Sequence, residues 1–187
     1  VPAADRAYPG TCRDLTPHEI AARRSTGRPS ALRLRAQVGS WTVHDVLAGE
    51  FTGAVDDFVL QRNDGVAAYN LAVVVDDAAQ GVDQVVRGDD LLTSAPRQAY
   101  LASLLGLSPA VYAHVPLALN SKGQRLAKRD GAVTLPDLAA QGAEPSAVLA
   151  MLAASLDLAS LEEMVSPQRL LDRFDPAHLP RRPWTVG

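Results

Sequence analysis

The sequence predicts an α/β protein that ends in a helical tail. Three observations carry this reading. Short runs that alternate apolar and polar residues, or are rich in valine, recur through the first two-thirds of the 187 residues and are bounded by turn residues. Stretches with helical spacing and capping residues lie between them. From Pro136 onward only the helical pattern persists, so mixed strands and helices give way to helices alone.

Taken in chain order, residues 1–30 are rich in Arg, Pro and Gly around one short helix. Thr16 is its expected N-cap, Pro17 its first helical residue, and Glu19 stands three after the cap, as a capping box requires. Residues 31–35 and 41–46 alternate and read as short strands, as do residues 57–62, which Asn63-Asp64-Gly65 ends in a turn. Residues 69–78 are ambiguous. Their three consecutive valines favour a strand, whereas Leu71, Val74, Val75 and Ala78 fall at helical spacing, with Gly81 placed to stop a helix. Residues 82–87 fit a short buried strand. Ser94 is expected to cap a helix with Pro96 in its first turn, running through Leu101, Leu104 and Leu105 to Gly106. In the tail, residues 145–158 read as one helix, and Ser160 with Glu163 offers a capping box for another.

Composition narrows the function classes. With 47% hydrophobic and 21% charged residues, the chain has the balance of an ordinary globular protein. No apolar run approaches the roughly 18 residues that cross a bilayer, and the first residues lack the pattern of a signal peptide. Cys12 is the single cysteine, which excludes an internal disulfide and fits a reducing cytoplasm. A net charge of −3 argues against nucleic-acid binding through a global positive field. Local clusters remain: Arg23, Arg24, Arg28, Arg33 and Arg35, then Lys122, Arg125, Lys128 and Arg129. Charge runs of this kind are usually solvated faces.

Three segments, in order, resemble the glutamate branch of the class I aminoacyl-tRNA synthetases. The first is Tyr69-Asn70-Leu71-Ala72-Val73-Val74-Val75-Asp76-Asp77, followed by Val85-Val86-Arg87-Gly88-Asp89-Asp90-Leu91. The second is Ser94-Ala95-Pro96-Arg97-Gln98. The third joins His114-Val115-Pro116-Leu117 to Gly123-Gln124-Arg125-Leu126-Ala127-Lys128-Arg129-Asp130-Gly131-Ala132. Their order and spacing, more than any one of them, carry the resemblance. It implies the second half of a Rossmann-type catalytic core over residues 31–132, preceded by a zinc-insertion remnant and connecting segment (1–30) and followed by a helical subdomain (133–187).

The resemblance also implies site residues. Arg125, Leu126, Ala127, Lys128 and Arg129 correspond to the mobile Lys-Met-Ser-Lys-Ser-type ATP-binding loop, with Arg125 and Ala127 departing from the parent pattern. Attack of a carboxylate on the α-phosphorus of ATP builds negative charge on phosphate and departing pyrophosphate. Lys128, the expected catalytic residue, would stabilise that charge most in the transition state. Outside the family context it reads as a solvated loop lysine. Tyr69 and Arg87 match the positions that hold glutamate, where an arginine fork binds a carboxylate and a phenol donates one further bond. Glutamine-specific relatives do not keep an arginine there. On spacing alone, Tyr69 is a half-buried aromatic and Arg87 a salt-bridge partner. Val73 stands where some glutamyl-tRNA synthetases place a polar residue.

Tyr8 and Cys12 resemble the second half of a structural zinc site found in the glutamyl-queuosine group of this family, continued by Leu15-Thr16-Pro17. Their spacing alone means little, and a structural zinc takes about four ligands. The early chain end after Trp184, without room for an anticodon-binding domain, points to the same group. That assignment implies glutamate and ATP with Mg as substrates, and transfer of glutamate to queuosine in the tRNA(Asp) anticodon by a cytoplasmic monomer with no membrane partner. Other readings are a truncated discriminating glutamyl-tRNA synthetase and a non-catalytic module that binds tRNA or a partner. One expected part has no counterpart. No pair of histidines matches the His-Ile-Gly-His-type motif that cradles ATP, and His44 and His114 stand alone.

Overall fold

The computed structural model describes residues 8–27, 29–126 and 134–185. Its contacts divide the chain into two units, one ending at His114 and the other starting at Val115.

The first unit opens with α1 (Pro17–Arg24), whose capping box forms as expected: Thr16 accepts from the Glu19 N–H while the Glu19 carboxylate accepts from the Thr16 N–H. Strands β1 (Leu32–Arg33), β2 (Ser40–Asp45), β3 (Gly49–Ala54) and β4 (Val59–Gln61) follow. Next come α2 (Tyr69–Gln80), β5 (Gln84–Gly88), a 3-10 turn at Asp89–Ser94, α3 (Ala95–Leu104) and β6 (Val111–Val115). The main sheet has the order β3-β2-β6-β5, and β1 pairs separately with β4. Strands β2 and β3 form an antiparallel hairpin from Ser40↔Ala54 to Asp45↔Gly49, while β2 runs parallel to β6 through Asp45↔Tyr112.

The ambiguity over residues 69–78 resolves as helix. Leu71 and Val74 pack on the core of Ala36, Val55, Phe58, Tyr100 and Leu101, whereas Val75 is 43% exposed. Burial of that stripe outweighs the modest helix cost of three valines. Gly81, at φ +71°, ends the helix in a left-handed cap, and Val82 N–H returns to the Asp77 carbonyl. Trp41 joins this core to a second one made by Val43, Ala95, Ala99 and Tyr112.

Several local expectations need correction. Strand β5 alternates rather than being buried: Val85 packs inward and Val86 is 61% exposed at the sheet edge. Ser94 does not cap α3 with its side chain, because the preceding 3-10 turn leads directly into the helix and leaves Ser94 in helical geometry. Strand β3 went unpredicted, since Gly49 and Gly53 hide its alternation.

The second unit contains β7 (Ala118–Leu119), α4 (Leu135–Ala140), α5 (Pro145–Ser155), α6 (Pro167–Arg173) and β8 (Trp184–Thr185). Helix α5 stops at Ser155, and Asp157 takes φ +56° just beyond it. The expected helix capped by Ser160 does not form. Glu163 is instead engaged by the Arg173 guanidinium at 2.6 and 3.1 Å, and the cap is Ser166, which accepts from the Arg169 N–H. Nor is the tail purely helical, because β8 pairs in parallel with β7.

Candidate active site

Asp45 closes strand β2, beside Tyr112 of β6, and this register brings it to His114. Its Oδ1 accepts from the N–H groups of Leu47 and Ala48 at 2.9 and 2.8 Å, which shapes the β2–β3 turn. Its Oδ2 lies 2.6 Å from His114 Nδ1 and 3.1 Å from the His114 N–H. Burial opposes ionisation of this carboxyl, but the bonds from Ala48, the His114 ring and Leu47 outweigh it and hold the group below the usual carboxylate range.

Arg87, near the end of β5, meets the other side of the same ring. Its Nε–H donates to His114 Nε2 at 2.9 Å, its Nη2 to the Leu91 carbonyl at 3.4 Å, and its guanidinium carbon stands 5.5 Å from the Tyr112 ring centroid. An arginine Nε can only donate, so His114 Nε2 accepts and Nδ1 carries the proton toward Asp45. Among the described residues no carboxylate pairs with Arg87. A half-buried cation is thus held by neutral acceptors, and its Nη1 makes no hydrogen bond among the described residues.

Tyr69 is the first residue of α2 and is 57% exposed. It borders a cleft of about 460 Å³ shared with Tyr8, Asp56, Asn70, Leu91, Ser94 and Arg97, among others. Asn70 is fixed by Gln98 of α3, whose Nε2 donates to its Oδ1 at 3.0 Å. Arg97 is committed to Asp56 at 2.7 Å, and Asp56 also accepts from the Tyr8 N–H at 2.8 Å. Burial raises the Asp56 carboxyl, but Tyr8 and Arg97 more than compensate and keep it low. Arg87 is not among the residues that line this cleft; it reaches the carbonyl of Leu91, which is. Asp45 and Asp56 have no local signal in the sequence, because their partners lie far apart along the chain.

Tyr8 and Cys12 do come together. The Tyr8 hydroxyl accepts from the Cys12 N–H at 2.7 Å, and the exposed Cys12 Sγ accepts from Arg23 at 3.2 Å. Hydrogen bonding to the Cys12 side chain raises the Tyr8 hydroxyl above its ordinary range. Among the described residues no group of three or more His, Cys, Asp or Glu is placed to hold a metal. Tyr8 and Cys12 supply two donors of about four, with an arginine on the sulfur, so by themselves they do not make a zinc site.

Within the second unit, Arg125 and Leu126 start the expected ATP loop. Leu119 bridges Arg125, and the Leu126 N–H donates to the Ala118 carbonyl at 3.1 Å. Asn120 shapes the turn before them by accepting from the N–H groups of Lys122 and Gln124. Ala127, Lys128 and Arg129 lie outside the described residues.

Residues 2–186 match the family described as tRNA synthetases class I (E and Q), catalytic domain. The chain belongs to this class I synthetase family. It is 64% identical over 180 residues to a Glutamyl-Q tRNA(Asp) synthetase of Nocardia farcinica, covering 96% of this chain and 57% of that protein. A protein of the same name from Symbiobacterium thermophilum is 47% identical, with 95% of this chain and 56% of that one covered. A Glutamate--tRNA ligase 1 of Halorhodospira halophila is 41% identical, with 92% of this chain and 39% of the ligase covered. The chain therefore spans little more than half the length of the first two relatives. Among solved structures, the glutamate-tRNA synthetase of Elizabethkingia anophelis superposes with a TM-score of 0.75 at 23% identity, over 94% of this chain and 40% of that one. That likeness establishes the α/β fold of a class I synthetase core. No helix among the described residues is long and apolar enough to cross a membrane.

Proposed function

We propose that the full-length protein carrying this chain activates glutamate with ATP and transfers it to queuosine in the anticodon of tRNA(Asp). The observation that carries the glutamate part is Arg87, a half-buried cation without a carboxylate partner, and with no bond at Nη1, among the described residues. A guanidinium and the Tyr69 hydroxyl suit a carboxylate substrate, and a neutral amide would forfeit the ionic part of the contact. The queuosine part draws on the names of the relatives at 64% and 47% identity.

In this reading the 125–129 loop closes over ATP, and Lys128 stabilises the charge that develops as glutamate attacks the α-phosphorus. Mg accompanies ATP. The reading also needs an ATP-cradling segment, which these 187 residues do not include. Tyr8 and Cys12 would be half of a structural zinc site completed by two further ligands. Transfer of glutamate to the 3′ end of tRNA(Glu) is a second reading, favoured by the 41% identical glutamate–tRNA ligase.

Pyrophosphate exchange into ATP tests the activation step. The full-length protein should support exchange with glutamate, in the absence of tRNA, and not with glutamine. Exchange that needs tRNA, or that runs equally well with glutamine, contradicts the proposal.

A further inference from the structure

We infer that His114 is a positioning residue for substrate recognition, aiming Arg87 at the carboxylate of the amino acid and braced in turn by Asp45. The inference rests on the proposed role of Arg87 and adds the device that orients it.

The geometry has three links. Asp45 is anchored by two backbone N–H groups of its own turn, so its position does not depend on His114. It accepts from both the backbone N–H and the Nδ1–H of His114, which fixes the ring plane and the tautomer. The bare Nε2 then faces the Arg87 Nε–H at 2.9 Å. Both Asp45 and His114 side chains are fully buried, so water does not compete for these bonds.

Interposing an imidazole has a chemical consequence. A carboxylate placed directly against Arg87 would orient it equally well but would also occupy the charge that the substrate needs. His114 orients the guanidinium through a neutral nitrogen and keeps the Asp45 charge one ring away. Nε and Nη2 each make one bond and Nη1 makes none among the described residues, which leaves donors on the guanidinium for the carboxylate of the substrate. Truncating His114 should therefore harm glutamate recognition specifically.

The test compares two amides in the full-length protein. Glutamine at 114 can present an oxygen near the Nε2 position, whereas asparagine reaches only the Nδ1 position, next to Asp45. His114→Asn should raise the KM for glutamate about tenfold or more, with kcat and the KM for ATP nearly unchanged. His114→Gln should recover most of that loss. A folded His114→Asn variant with wild-type glutamate KM overturns the inference, as does an equal loss in both variants. Nitrogen NMR of labelled histidine in the wild-type protein supplies a readout independent of either variant's folding: a proton on Nδ1 supports the arrangement, and a proton on Nε2 overturns it. Arg87→Ala is assayed in parallel. If it leaves the glutamate KM unchanged, the site reading itself fails; if it raises that KM while His114→Asn does not, only the positioning role fails.

Discussion

His114 Nδ1 lies 2.6 Å from Asp45 Oδ2, with both side chains buried, although 69 positions separate them in sequence. The contact ties β2 to β6 and sets the geometry of Arg87. It also has a thermodynamic consequence. The Asp45 carboxyl titrates lower in the folded protein than in the unfolded chain, so its contribution is complete above the unfolded value near 3.8 and is lost as pH falls through the lower folded value.

Asp45→Asn should lower stability by about 3 kcal/mol, because an amide cannot accept from all four donors now served and leaves a buried N–H group unsatisfied. Thermal melts from pH 7 down to pH 3 check this. The wild type should hold a plateau and then fall at the acid end, with Asp56 and Asp57 contributing in the same direction. The variant should start lower and fall less. Identical acid limbs for the two proteins would contradict the role given to Asp45.

Gly53 should resist substitution. A Cβ there would stand 2.7 Å from Cγ of Pro96, a fully buried ring on α3 that has little room to move. Gly53→Ala should cost about 1–3 kcal/mol through overpacking, measured by urea unfolding. A neutral result would mean that the α3–β3 packing is looser than described.

The proposed glutamate site yields graded expectations in the full-length protein. Arg87→Ala should weaken glutamate binding on the order of 100-fold, and Tyr69→Phe about tenfold, with ATP affinity little changed in both. Equilibrium binding measured by calorimetry separates the two ligands. Glutamate affinity unchanged in Arg87→Ala would remove the basis for the site.

Local physics was legible in the sequence; long-range partnership was not. The Thr16–Glu19 capping box and the Gly81 stop are encoded within a few residues and were predictable from them. Tyr69 and Arg87 stood out only because a family resemblance singled them out. Strand β3 was hidden because Gly53, required by the neighbouring Pro96, reads locally as a break. Ser160 and Glu163 made a plausible capping box, yet Arg173 engages the glutamate and Ser166 caps the helix instead. His114 looked like an isolated histidine, since Asp45 and Arg87 reach it only through the sheet register and neither leaves a mark near it in sequence.

The proposed transfer of glutamate to queuosine in tRNA(Asp) can be measured directly. Labelled glutamate, ATP and the full-length protein should be incubated with queuosine-containing tRNA(Asp) and, separately, with tRNA(Glu), and the label then mapped by nuclease digestion. The account predicts label in the anticodon fragment of tRNA(Asp) and none on tRNA(Glu). Label at the 3′ end of tRNA(Glu) would contradict it.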